Sequence, residues 1–215
     1  MRKIEAIFFD LDGTLIDSRR DIAESLNFTR LKLGLAGNIY PEEINSFIGG
    51  GFEETVRKSL GTENGQLTEK ALSIFKKYYQ EHPLVYTTLY PGAVSTLKYF
   101  KRKKLAIITN KSTETAEKIL KGLNIRKYFA NLAGGDNEKD RKPSPEIIKM
   151  FLKSFNIEKE KAVIIGDMEI DILTGKNAGI ITCFAAYGIG GKNNLMSVKP
   201  DFEIDNLTRL KELFC

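Results

Sequence analysis

"FFDLDGTL", residues 8–15, ends an apolar run on two aspartates spaced by one residue. A bare carboxylate is costly to bury unless it is paired or holds a metal. Asp10 and Asp12 at the end of an apparent buried strand therefore need an explanation. In a strand, residues i and i+2 point to the same side. If strand geometry persists through residue 12, the two acids project together, and Gly13 then permits a sharp turn. Open α/β sheets bind ligands beyond the carboxyl ends of their strands, which is where these acids fall.

The rest of the chain supplies the sheet. "IEAIFF" (4–9), "LAIIT" (105–109), "AVIIG" (162–166) and "IITCF" (180–184) are short and rich in β-branched residues. They read as strands buried on both faces, hence parallel. Helical patterns lie between them. "PGAVSTLKYFKRKK" (91–104) spaces Val94, Leu97 and Phe100 along one face. "STETAEKILKGL" (112–123) and "SPEIIKMFLKSF" (144–155) each begin on a serine cap, the second with proline at its first position. Alternating strands and helices predict an α/β fold, a Rossmann-like three-layer core around a parallel sheet. From Thr14 to about Tyr90 no buried strand is evident, far more chain than one crossover helix requires. That interval holds helical stretches at 19–33, 41–48, 52–60 and 68–81, broken by Gly49–Gly51. The expected organisation is a core of residues 1–16 and 87–215, with a small helical domain, 17–86, inserted after the first strand.

Composition narrows the function. The 215 residues carry a formal charge of +5, much of it lysine scattered along the chain. Scatter predicts a solvated surface and no nucleic-acid partner; "KYFKRKK" (98–104), the densest basic run, reads as the polar end of a helix. One histidine, His82, and two cysteines without Cys-x-x-Cys spacing, Cys183 and Cys215, argue against a zinc site or a disulfide framework. No apolar stretch approaches the ~20 residues needed to span a bilayer. "MRKIEAIFFD" runs straight into a strand without a signal-like segment. The expectation is a cytoplasmic protein with no membrane partner.

A second acidic group follows another strand, in "AVIIGDMEID": Asp167 directly after the apolar run and Asp171 one helical turn later. Four aspartates converging at one rim would repel one another without a cation. An all-oxygen set with no nearby histidine or cysteine favours magnesium. For Asp171 a ligand role and a cap or turn role are evenly balanced. "LAIITNKS" ends in Thr109 and Asn110, a hydroxyl and an amide suited to phosphate oxygens. "DRKPSPE" sets Lys142 between the strand region and a helix, beside Pro143 and Pro145. A metal, a phosphate clamp and two carboxylates suit phosphoryl transfer. Asp10 would attack phosphorus and form an aspartyl-phosphate. Asp12 would protonate the leaving alkoxide and later take a proton from water, its own proton held by the crowded anionic surroundings.

These motifs, in this order, resemble the haloacid dehalogenase superfamily of phosphatases. "DLDGT" matches the first motif, Thr109 in "ITN" the second, Lys142 in "KPSPE" the third and "GDMEID" the fourth. The resemblance implies that Asp12 offers magnesium its backbone carbonyl, that Asp10 and Asp167 are ligands, and that Asp171 acts through water or through a neighbouring ligand. Met168 departs from the small hydroxyl residue often found after the fourth-motif aspartate. Within the superfamily the chain is similar to phosphoglycolate-phosphatase-like members with a helical cap. "LIDSRRDIAESLN" (15–27), "FIGGGFEETVRKSLG" (47–61), "YPGAVSTL" (90–97), "LAGGD" (132–136) and "PDFEIDNLTRL" (200–210) carry that likeness.

The resemblance implies a Mg2+-dependent hydrolase acting on a small phosphomonoester, as a monomer or homodimer. Phosphoglycolate, pyrophosphate, nucleotides and sugar phosphates all stay open as substrates. A β-phosphoglucomutase-like phosphomutase would use the same core, and a non-enzymatic phospho-accepting domain would use an aspartate, a threonine and a lysine alike. The glycine run reads equally as a substrate-facing loop and as a helix connection. Arg57 reads as a solvated helix position more readily than as a partner for a substrate carboxylate.

Overall fold

The computed structural model describes residues 1–191 and 198–215. Its elements follow in the order β1 (Ala6–Phe9), β2 (Ile16–Asp17), α1 (Arg19–Lys32), α2 (Phe52–Leu60), α3 (Gly65–Glu81), β3 (Thr88–Leu89), α4 (Ala93–Tyr99), β4 (Lys104–Ile108), α5 (Thr113–Gly122), β5 (Asn131–Ala133), α6 (Glu146–Phe155), β6 (Ala162–Gly166), α7 (Glu169–Ala178), β7 (Ile181–Ala185), β8 (Phe202–Ile204) and α8 (Leu210–Leu213). Two compact units result: residues 1–17 with 89–215, and residues 18–88.

The first unit is built on a six-stranded sheet in the order β5-β4-β1-β6-β7-β8. Every pairing in it is parallel. The four apolar runs form its centre, which is why both of their faces are buried. Ala6, Phe8, Ala106, Ile108, Ala162 and Ile164 meet Ile147, Ile148, Phe151 and Leu152 of α6 on one face. The alternate residues Ile7, Phe9, Leu105, Ile107, Val163 and Ile165 are equally buried on the other, where Phe9 meets Phe129 edge to face. Helices therefore cover both sides of the sheet, as the three-layer expectation required.

Sequence periodicity misses the two edge strands. β5 and β8 have three residues each, and most of these are only partly buried or exposed. An edge strand of that length leaves no continuous apolar run to read. Three helix expectations also change. The helix expected over 91–104 is only Ala93–Tyr99, because Phe100 caps it and Lys103 turns back to donate to the Phe100 carbonyl at 2.8 Å. The helix expected from Ser144 starts at Glu146, with Pro145 as its cap residue. The stretch 41–48 is a 3-10 turn, Pro41–Ser46.

The second unit packs its helices around Ile22, Leu26, Ile44, Val56, Ala71, Phe75 and Tyr79. Phe52 sits edge-on to both Phe75 and Tyr79. The buried Asp21 carboxylate closes this unit: it accepts from the backbone N–H groups of Val85, Tyr86 and Thr87 and from the Thr87 hydroxyl, at 2.6–3.1 Å. The glycine run joins the 3-10 turn to α2, with Gly51 as the cap residue of α2 at φ +92°. Arg57 pairs with Glu63 at 2.9 Å on an exposed surface.

Gly175 shows how tightly α7 lies on the sheet. A β-carbon there would overlap the methyl groups of Ile164 on β6 and Thr182 on β7. In an exposed helix, alanine would gain about 1 kcal/mol over glycine. Here overpacking against two β-branched residues costs typically ~1–3 kcal/mol. Gly175→Ala is therefore expected to lower the melting temperature. A raised melting temperature would show that α7 can move away from the sheet.

Candidate active site

Parallel pairing places the site. β1 and β6 are neighbours, with Phe9 opposite Ile165, and the Asp10 N–H extends that ladder to the Ile165 carbonyl at 2.9 Å. Asp10 and Asp167 thus leave adjacent strand ends side by side. Asp171 joins them from the first turn of α7. One carboxylate oxygen from each of Asp10, Asp167 and Asp171 lies within 4.8 Å of the others, and all three residues are buried.

Lys142 enters the same cluster. Its ammonium donates to Asp10 Oδ1 and to Asp171 Oδ1, each at 2.6 Å. Its backbone is held by Asn110, whose Oδ1 accepts from the Lys142 N–H at 2.8 Å and whose Nδ2 donates to the Lys142 carbonyl at 3.3 Å. Both ends of the Asn110 amide thus engage Lys142, which sequence reading had assigned to phosphate oxygens. Thr109 follows β4 and is buried; its hydroxyl accepts from the Lys111 N–H at 3.2 Å.

Asp171 takes the cap role and also bonds the lysine. Oδ1 takes the lysine, while Oδ2 accepts from the Met168 N–H at 3.1 Å and caps α7. The Met168 side chain is not needed for that bond. Asp167 is held by the Thr14 hydroxyl at 3.1 Å and by the Gly190 N–H at 2.9 Å. Gly13, at φ +86°, passes so close to this carboxylate that a β-carbon would overlap it, so the turn after Asp12 requires glycine for both its dihedral and its clearance.

Asp12 departs from the expected geometry. β1 ends at Phe9, so strand alternation does not carry through to Asp12. The Asp12 carboxylate pairs with Lys111 at 3.1 Å, and the acidic cluster holds three aspartates, not four. Sequence reading passed over Lys111 because nothing distinguishes it among the chain's many lysines except its place after Thr109 and Asn110. Thr14 and Gly190 were likewise unmarked.

Charge in the cluster does not balance. Among the described residues, three carboxylates face one ammonium in this cluster, so full ionisation would leave two negative charges in excess. Burial pushes Asp10 up to about 7, and Asp171 adds to this while Lys142 opposes it. Burial also raises Asp167 well above the carboxylate range, reinforced by Asp10 and Asp171. For Lys142, burial alone would depress the ammonium, but Asp10 and Asp171 outweigh it and hold the group above the ordinary lysine value. One lysine shared between two acids cannot relieve all of them. The donor set is all oxygen and dianionic in excess, which fits a hard divalent cation such as magnesium.

A pH dependence follows from the Asp10 shift. A carboxylate whose folded pKa lies above its unfolded value takes up protons on folding. Its stabilising contribution is complete below about pH 4 and is lost as pH rises through about 7. In metal-free protein, Asp10→Asn should therefore be more stable than wild type at about pH 8, and this advantage should shrink towards about pH 5. Each kcal/mol should appear as roughly 2–4 °C for a chain of this size. A melting-temperature difference that does not vary with pH would contradict the charge reading.

With this geometry in hand, comparison with known proteins is direct. Residues 7–185 match the family model for haloacid dehalogenase-like hydrolases. A phosphoglycolate phosphatase of Aquifex aeolicus (strain VF5) is 40% identical over 212 residues, covering 98% of this chain and 96% of that protein. One from Neisseria meningitidis serogroup A is 31% identical over 219 residues, covering 97% and 93%. The crystal structure of a predicted phosphoglycolate phosphatase from Haemophilus somnus 129PT superposes with a TM-score of 0.89 at 26% identity, covering 99% of both chains. A match spanning the sheet unit from β1 to β7, with whole-length relatives alongside it, makes this chain a member of the haloacid dehalogenase-like hydrolases.

Proposed function

We propose that the chain is a Mg2+-dependent phosphatase that hydrolyses a small phosphomonoester of the phosphoglycolate class through an aspartyl-phosphate. The observation that carries this reading is the buried cluster of Asp10, Asp167 and Asp171, two of them bonded to Lys142, among whose described members the carboxylates outnumber the ammonium. The names of the whole-length relatives support the substrate class.

In this reading Asp10 is the nucleophile. Its oxygen forms a bond to phosphorus while the bond from phosphorus to the ester oxygen breaks, and the leaving alkoxide takes a proton from Asp12. Water then attacks the aspartyl-phosphate and loses its proton to Asp12, returning inorganic phosphate and free Asp10. Lys142 holds the Asp10 carboxylate in place and stabilises charge on the phosphoryl oxygens. Thr109 offers a hydroxyl to the same oxygens. Asn110 contributes by fixing the Lys142 backbone. Asp10, Asp167 and the Asp12 backbone carbonyl would hold magnesium, with Asp171 supporting them through Lys142. Bound there, the ion would supply positive charge where the transferring phosphoryl group develops negative charge.

The inserted helical unit is assigned as the cap that selects the substrate. Among the described residues no helix is long and apolar enough to cross a membrane.

The test is release of inorganic phosphate from 2-phosphoglycolate and a panel of other phosphomonoesters, with magnesium and after chelation. Release is expected to require the metal, and Asp10→Asn is expected to reduce it at least about a thousand-fold. Sugar-phosphate isomerisation without release would point to a mutase. A phosphoaspartate that persists for minutes would point to a phospho-accepting domain. Full activity in Asp10→Asn would exclude the nucleophile assigned here.

A further inference from the structure

We infer that Lys111 is a positioning residue for Asp12, holding the general acid/base where it meets the leaving-group oxygen and the attacking water. The inference rests on the phosphatase reading above and adds to it a residue outside the acidic cluster.

Three observations carry it. First, the Lys111 side chain is only 2% exposed, and its ammonium lies 3.1 Å from Asp12 Oδ1. An ammonium buried without an anion is unfavourable by several kcal/mol, so this lysine is tied to that carboxylate. Second, Lys111 itself is anchored at both ends of its backbone. Its N–H donates to the Thr109 hydroxyl at 3.2 Å, and its carbonyl accepts from the Gly135 N–H at 2.8 Å. Third, the segment opposite leaves no slack. A β-carbon on Gly134 would overlap the Lys111 carbonyl, and one on Gly135 would overlap the Asn110 backbone.

The position of Asp12 gives that contact a role. It lies beyond the end of β1, so the strand ladder does not fix its direction. A general acid/base must stay within hydrogen-bond reach of the oxygen it serves, and a misplacement of about 1 Å can reduce a rate a hundred-fold. Two fixed lysines thus divide the site between them: Lys142 orients the nucleophile and Lys111 orients the proton-transfer group.

The experiment is a double-mutant cycle of Lys111→Met and Asp12→Asn, read under single turnover with magnesium present. The substrates are 2-phosphoglycolate and p-nitrophenyl phosphate, whose leaving group departs as a stabilised phenolate and needs little proton donation. Lys111→Met is expected to slow the first step on 2-phosphoglycolate by on the order of ten- to a hundred-fold, with KM changed less than about two-fold. The loss on p-nitrophenyl phosphate should be clearly smaller. In the Asp12→Asn background, Lys111→Met should have almost no further effect, because residues acting through one another are non-additive. Equal losses on the two esters would overturn the inference, as would the same loss with and without Asp12. If Lys111→Met does not fold, Lys111→Gln is judged by the same criteria. A wild-type chain inert towards both esters would instead overturn the phosphatase reading itself.

Discussion

The structure turns on one electrostatic constraint: three carboxylates are buried together, and among the described residues one ammonium in the cluster bonds two of them. Asp10, Asp167 and Asp171 are drawn together by the fold, and Lys142 bonds two of them. Nothing in that arrangement stabilises the isolated chain as well as an apolar filling would, since buried ion pairs seldom repay their desolvation. Burial raises both Asp10 and Asp167, the first despite the lysine beside it. Perturbation of this kind, in groups at a strand-end rim, marks sites of chemistry more often than sites of structural support. In the proposed reading, a divalent cation and a phosphoryl group would complete this cluster.

The scaffold supplies the rigidity that the cluster demands. β1 and β6 run in parallel at the centre of the sheet, so the two acids that follow them are fixed by backbone pairing and not by side-chain choice. Asp171 is locked by capping α7, and α7 is seated on β6 and β7 so closely that Gly175 has no room for a methyl group. Asn110 clamps Lys142 by both backbone atoms from the end of the neighbouring strand β4. The site is thus held mainly by backbone geometry, with side chains filling defined positions.

Central features of this arrangement could be read from sequence because they rest on strong local signals. The four central strands are continuous β-branched runs, and burial on both faces gives them their apolar character. Asp10, Asp167 and Lys142 follow strands or precede a helix, where topology alone brings them together. The edge strands β5 and β8 were missed because three partly exposed residues leave no periodicity. Asp12 lies past the end of β1 at Phe9, so strand alternation does not describe its direction. Lys111 carried no signal because its meaning lies in a contact across ninety-nine residues, and one more lysine in a lysine-rich chain is uninformative. Gly13 was read correctly as a turn former, but its second duty, clearance for Asp167, exists only in three dimensions.

The most direct test of the central claim is a calorimetric titration of the metal-free chain with Mg2+ near neutral pH, repeated in buffers of different ionisation enthalpy. If the excess negative charge is what the ion meets, one ion should bind per chain with release of protons from the raised acids, and Asp167→Asn should abolish saturable binding. Binding without proton release, or unchanged binding in Asp167→Asn, would contradict it.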